Sequence, residues 1–265
     1  MRIIDSHCHY GTGDGLTGPW DTRASLKKYV GWAREAGIQQ TVLFAPFNTQ
    51  YAAANQEVAN LVQRYPQQFY GYVFVHPQND AGQVYEMVKK FVQGYGFKGI
   101  KVHKHDGGIT REICEVAKIF NIPILYDVMG EFWAVELLAN EYPSVNFIIP
   151  HLGSFADDWR MQLAFIPLLE RYPNIFTDTS GVRRFDLLER AVQQAGASKI
   201  LFGTDGPWLH PKVELEKVFA LKLSNADTQL ILADNFLKLI KNTPPHLLLK
   251  PKNGFNTEGV SKIKF

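Results

Sequence analysis

His7 and His9 flank a single residue in the run Asp5-Ser6-His7-Cys8-His9. If this run is a strand, alternation puts both imidazoles on one face, about 7 Å apart at Cα. Two imidazoles so placed suit the gripping of one metal ion. Polar filling of a barrel interior would use the same residues, so the motif alone is evenly balanced. Cys8 falls on the opposite face, where a packed thiol against a covering layer is expected.

Other segments offer groups of the same kind. His151 follows Phe147-Ile148-Ile149-Pro150, and Asp205 follows Ile200-Leu201-Phe202-Gly203-Thr204. With the first pair they make a nitrogen–oxygen set suited to zinc, manganese or iron. The plainer readings are a hydrogen-bonded neighbour for His151 and a helix N-cap for Asp205, since Gly206-Pro207 follows. Lys101, His103 and His105 alternate in a further run, so all three are expected on one face. Lys101 could bind a substrate carboxylate or be a plain interior cation. Arg183 and Trp208 are candidate substrate contacts. For Arg183, with Arg184 beside it, a solvent-facing pair at a helix start explains the residues equally well. His76 and His210 each precede a proline and read as loop residues.

What positions these groups is an alternation of short apolar runs with longer amphipathic stretches. Eight runs read as strands: Arg2–His9, Thr41–Pro46, Phe69–His76, Gly99–His103, Ile122–Val128, Val145–His151, Ile175–Thr179 and Lys199–Thr204. Between them Ser25–Ala36, Ala52–Tyr65, Gln83–Phe91 and Arg111–Phe120 read as helices; Val58, Leu61, Val62 and Tyr65 share one face at helical spacing. Continuous apolar strands alternating with helices predict a parallel sheet covered by helices, and eight units predict a closed (β/α)8 TIM barrel. A doubly wound sheet would more often carry a dinucleotide turn after its first strand, and Gly11-Thr12-Gly13-Asp14-Gly15 lacks that spacing. Most runs end on polar residues, among them His9, His103, Asp127, His151, Asp178 and Asp205. In such a barrel these ends converge on one face. The loops Tyr10–Asp21, with Trp20, and Phe47–Tyr51 would then shape specificity.

The bulk numbers agree with one domain. The chain has 265 residues, 46% hydrophobic and 13% aromatic, enough for a sizeable core. A barrel over residues 1–243 and a tail over 244–265 are expected. A formal net charge of +2 gives no electrostatic case for nucleic acid or an anionic membrane as partner. Two cysteines do not suggest a disulfide scaffold. With no signal-like or membrane-length apolar run, a cytoplasmic protein acting on a small molecule is expected. Oligomeric state is not legible, dimers being the commonest outcome for soluble enzymes.

Several segments together resemble the amidohydrolase superfamily, most closely its amidohydrolase-2 group, which includes aminocarboxymuconate-semialdehyde decarboxylase and related hydrolases. They are Asp5-Ser6-His7-Cys8-His9, Gly96-Phe97-Lys98-Gly99-Ile100-Lys101-Val102-His103, Pro150-His151-Leu152-Gly153 and Leu201-Phe202-Gly203-Thr204-Asp205-Gly206-Pro207. The resemblance runs from Met1 to about Ile240, where Asp234-Asn235-Phe236 is similar to the family's closing helix. It implies His7, His9 and Asp205 as ligands, with His151 near the metal. One departure stands out: the family's fifth strand usually ends in a ligand histidine, and here Pro123-Ile124-Leu125-Tyr126-Asp127 ends in Asp127. A carboxylate can replace that ligand, which would favour manganese over zinc; otherwise zinc is the first expectation. The alternative is that Asp127 hydrogen-bonds to a neighbour and the site binds metal weakly or not at all. In other branches the lysine corresponding to Lys101 is carboxylated and bridges two metals.

The expected function is hydrolysis of an ester, lactone or amide of a small, carboxylate-bearing molecule by a metal-activated water. Asp205 would accept the water's proton and deliver it to the leaving group, and His151 would orient the water or polarise the carbonyl. A decarboxylase or hydratase on the same barrel is the first alternative. A metal-free binding barrel is the second.

Overall fold

A computed structural model of the chain describes residues 1–15, 23–156 and 158–243. The expected tail and Trp20 lie outside those residues. Eight parallel strands follow one another in chain order around a single sheet. They are Ile4–His9 (β1), Gln40–Phe44 (β2), Phe69–Phe74 (β3), Gly99–His103 (β4), Ile124–Asp127 (β5), Phe147–Ile149 (β6), Ile175–Asp178 (β7) and Ile200–Leu201 (β8). Helices separate them: Leu26–Glu35 (α1), Tyr51–Arg64 (α2), Val84–Tyr95 (α3), Arg111–Phe120 (α4), Trp133–Glu141 (α5), Trp159–Arg171 (α6) and Phe185–Ala195 (α7), with Pro211–Ala220 (α8) after β8. This is the (β/α)8 barrel that the periodicity predicts. No helix among the described residues is long and apolar enough to cross a membrane.

The local chemistry explains each unit, as α4 illustrates. Thr110 caps its start by accepting from the Ile113 backbone N–H, and Glu112 sits in the first turn, where the helix dipole favours a negative charge. Ile113, Cys114, Val116, Ala117 and Phe120 form its buried stripe. Asn121 ends it in the left-handed region at φ 49°, which asparagine tolerates better than most residues.

The barrel closes between β8 and β1 through mixed contacts. The Ser6 and His9 backbone N–H groups donate to the Phe202 and Gly206 carbonyls at 2.9 and 2.6 Å, and Cys8 bridges Gly206. Asp5 fastens the same seam from beneath. Its fully buried carboxylate accepts from the Thr204 N–H and hydroxyl, the His7 N–H and the Tyr29 hydroxyl. Burial still pushes its pKa up to about 7 against those donors. Cys8 packs on the opposite face from His7 and His9, and both cysteines are free and buried.

Several strands end earlier than the apolar runs suggest. β6 stops at Ile149, because Pro150 has no N–H for the ladder and His151 and Leu152 turn left-handed at φ 60° and 54°. β4 ends at His103, as its run does, and a 3-10 turn over Lys104–Asp106 begins there. His105 therefore leaves the face it was expected to share and becomes exposed.

Candidate metal centre

Strand alternation carries His7 and His9 to one side of β1, and the turn after β8 brings Asp205 against them. The Nε2 atoms of His7 and His9 each lie 3.4 Å from Asp205 Oδ1. One ligand atom from each of the three residues falls within 4.8 Å of the others, the single such group of three or more among the described residues. Asp205 does not cap a helix; it holds a left-handed φ of 53° and aims inward, while His210 caps α8. His76 likewise serves its own loop, its Nδ1 accepting from the Gln78 N–H.

The tautomers follow from the partners of Nδ1. His7 Nδ1 lies 2.8 Å from Asp178 Oδ2, and His9 Nδ1 lies 3.0 Å from the Ala45 carbonyl. These Nδ1 contacts are shorter than the 3.4 Å from either Nε2 to Asp205, so the proton of each ring is placed on Nδ1 and Nε2 is turned toward Asp205. Histidines that bind metals are typically held this way. Burial pulls the His7 pKa down to about 4 despite Asp178. Asp178 in turn is held at about 2, burial being outweighed by its His7, His151 and Ser180 contacts. At neutral pH the pair is a neutral imidazole beside a carboxylate. Burial raises the pKa of Asp205, but His9, His7 and His151 more than offset it and keep the group well below the usual range. Two imidazole Nε2 atoms and a carboxylate oxygen converging on one point fit a divalent cation.

His151 stands beside this triad, its ring 5.1 Å from that of His7. Its Nδ1 lies 2.7 Å from the Ser180 carbonyl, and its Nε2 3.5 Å from Asp127 Oδ2. Both ring nitrogens thus face acceptors. Burial disfavours the imidazolium, yet Asp127, then Asp178 and Asp205, outweigh it and lift the pKa to about 9. Asp127 also meets His103 Nε2 at 3.2 Å and accepts from the Met129 N–H through Oδ1. It lies outside the tight group of three and joins His103 to His151 instead.

These groups share a cavity of about 630 Å³ at the C-terminal ends of the strands, walled by Phe47, Phe155, Trp208 and Leu209. Trp208 lies on His9, with ring centroids 4.6 Å apart. Lys101 reaches the same cavity although only 1% exposed. Its Nζ sits over the Phe44 ring at 5.2 Å, and Lys101 makes no hydrogen bond or ion pair with a described residue. Burial lowers its pKa, opposed by Asp127, Asp205 and Asp178. Arg183 is exposed and does not line the cavity. Its neighbour Arg184 is also exposed and pairs with Asp186 at 2.6 Å, as the solvent-facing reading anticipated. Sequence reasoning gave Asp178 and Ser180 no role, although Asp178 is among the polar strand ends that should converge.

Solved structures share this architecture. The 2,6-dihydroxybenzoate decarboxylase from Rhizobium is 17% identical, with a TM-score of 0.70 over 91% of this chain and 99% of that one. A dihydroxybenzoic acid decarboxylase from Polaromonas sp. JS666, solved with bound manganese, is 17% identical with a TM-score of 0.69, covering 91% and 97%. A probable 2-pyrone-4,6-dicarboxylic acid hydrolase from Acinetobacter baumannii, solved with citric acid, is 17% identical with a TM-score of 0.67, covering 91% and 100%. No curated protein matches the chain. The family profile Amidohydro_2, described as amidohydrolase, matches residues 4–240, and the chain belongs to that amidohydrolase family.

Proposed function

We propose that the protein is a metal-dependent hydrolase acting on an ester, lactone or amide of a small carboxylate-bearing molecule. The observation that carries this is the convergence of His7 Nε2, His9 Nε2 and Asp205 Oδ1 inside a cavity that also holds His151 and Lys101. His7, His9 and Asp205 would hold the ion, zinc by donor type with manganese the alternative. Bound there, a divalent cation supplies Lewis acidity and lowers the pKa of a water from 15.7 to about 7.

The side chains then divide the work. Asp205, held ionised, accepts a proton from the attacking water and returns it to the departing oxygen or nitrogen. His151, its ring nitrogens held by Ser180 and Asp127, lines the cavity as a cation and would stabilise charge developing on the carbonyl oxygen. Lys101, which makes no hydrogen bond or ion pair with a described residue, would present its Nζ to the substrate carboxylate. Asp127 acts as a clamp between His103 and His151, rather than as the fourth ligand that its place at the end of β5 suggests.

Decarboxylation is the second reading. It is favoured by the unpaired Lys101, which suits a carboxylate as the reacting group, and by the decarboxylases among the structural neighbours. The test is elemental analysis of protein purified without chelator, followed by a screen of lactones, esters, amides and aromatic carboxylates. Acid release without carbon dioxide supports hydrolysis, and carbon dioxide release supports the second reading. Protein that neither carries nor takes up zinc or manganese would remove both. Within the first reading, an Asp205→Asn variant that still turns over with metal bound would sink the proton-shuttle role.

A further inference from the structure

Asp178 ends β7 with its carboxylate fully buried, and its two oxygens face in different directions. Oδ2 accepts the Nδ1 proton of His7 at 2.8 Å. Oδ1 accepts from the His151 backbone N–H at 3.2 Å, the Ser180 N–H at 3.1 Å and the Ser180 hydroxyl at 2.6 Å. The backbone at His151 is left-handed, a conformation that costs free energy in a residue with a side chain and needs outside support. The Oδ1 bonds provide it, directly at His151 and through Ser180, whose carbonyl receives His151 Nδ1.

We propose that Asp178 is a positioning residue that sets two functional groups at once: the tautomer of His7 and the backbone pose of His151. Without an acceptor at Nδ1, the His7 ring can carry its proton on Nε2, and that proton blocks the lone pair meant for the ion. The role requires a carboxylate, because only a group that accepts at both oxygens serves both sides. An Asn at this position must choose. Its carbonyl is drawn to the side holding three donors, His151 N, Ser180 N and Ser180 Oγ. Its NH2 then faces His7 Nδ1, which must become an acceptor, and the proton moves to Nε2. The shape of the site is kept while the ligand is turned off.

This inference rests on reading His7 as a metal ligand, so its first test needs no metal. Chelator-treated protein labelled with 15N-histidine is compared as wild type, Asp178→Asn and Ser180→Ala by imidazole nitrogen shifts. The expected result is a protonated Nδ1 and bare Nε2 for His7 in wild type and Ser180→Ala, reversed in Asp178→Asn. Titration with zinc or manganese should then show an affinity ten- to a hundredfold weaker in Asp178→Asn. A wild-type His7 carrying its proton on Nε2 would overturn the proposal, even if Asp178→Asn does not fold. So would a folded Asp178→Asn whose His7 keeps the wild-type tautomer. If the tautomer switches but no form binds metal, the positioning role stands and the metal reading of the site falls.

Discussion

Asp127 and His151 face each other across the floor of the cavity, Oδ2 to Nε2 at 3.5 Å. The contact joins the end of β5 to the turn after β6, and it explains how a buried imidazole remains charged. Burial drives the Asp127 pKa up, but His103 and His151 hold it well below the ordinary carboxylate range. Asp127 in turn lifts His151 to about 9. A proton donor results, in a place where burial alone would produce a neutral ring.

That arrangement makes stability depend on pH in a defined sense. The folded pKa of His151 lies above the unfolded value of 6.5, so its stabilisation is complete below pH 6.5 and lost as pH rises through about 9. The difference corresponds to about 3 kcal/mol at most. His7 has the opposite sign: its folded value is depressed to about 4, so stability falls as pH drops from 6.5 toward 4. Asp5, held at about 7, has the reverse sign to His7 over that range. Denaturant unfolding of the chelated protein should therefore show little net slope between pH 4 and 6.5 and a decline from 6.5 to 9. In Asp127→Asn the decline between pH 6.5 and 9 should flatten. An unchanged alkaline limb in that variant would refute the clamp.

Metal analysis separates the ligands from the clamp. His9→Ala removes one of the three converging donors and should lose the ion, with affinity lowered at least a hundredfold. Asp127→Ala leaves His7, His9 and Asp205 in place and should retain about one equivalent, with affinity within roughly tenfold of wild type. Loss of metal in Asp127→Ala comparable to that in His9→Ala would make Asp127 a ligand after all.

Lys101 predicts how substrates are chosen. Lys101→Met keeps most of the apolar stem and removes the charge. For a carboxylate-bearing substrate, KM should rise about tenfold to a hundredfold, the worth of a charge-assisted hydrogen bond. For a neutral ester of the same skeleton it should change little. Equal losses on both substrates would assign Lys101 a structural role instead.

The barrel and the approach of His7 to His9 were legible because both follow from short-range rules. Strand–helix alternation dictates a parallel sheet, and the single residue between His7 and His9 dictates a shared face. The partners of those residues were not legible in the same way. Asp178, at the end of β7, meets His7 on β1 at the closing seam, 171 residues away in sequence. Nothing local marks its carboxylate as more than a strand-end residue. His105 was misplaced because alternation holds only while the strand lasts, and β4 gives way to a 3-10 turn just before it. Arg183 followed a strand end, as expected, but the chain carries it outward before α7 begins. Asp127 was read by position, as a substitute for a ligand histidine or a group hydrogen-bonded to a neighbour. Its side-chain partners, His103 and His151, come from two other strand ends.

Gly203 tests the tightness of the packing that holds His7. A Cβ there would stand 3.0 Å from His7 Cβ and 3.2 Å from both Cγ and Oδ2 of Asp178, closer than ordinary contact. The absence of a side chain lets the turn after β8 press against the His7–Asp178 pair. Because the crowded atoms belong to short, buried side chains, they cannot swing away, and the pair must shift by a few tenths of an ångström. Overpacking of this kind costs about 1–3 kcal/mol. Gly203→Ala should therefore unfold at lower denaturant than wild type. It should also bind metal more weakly, because the displaced His7 ring no longer aligns with His9 and Asp205. Denaturation of the chelated protein measures the first effect and metal titration the second. Lost stability with unchanged metal affinity would show that the ligands tolerate the shift, and that Gly203 serves barrel closure alone.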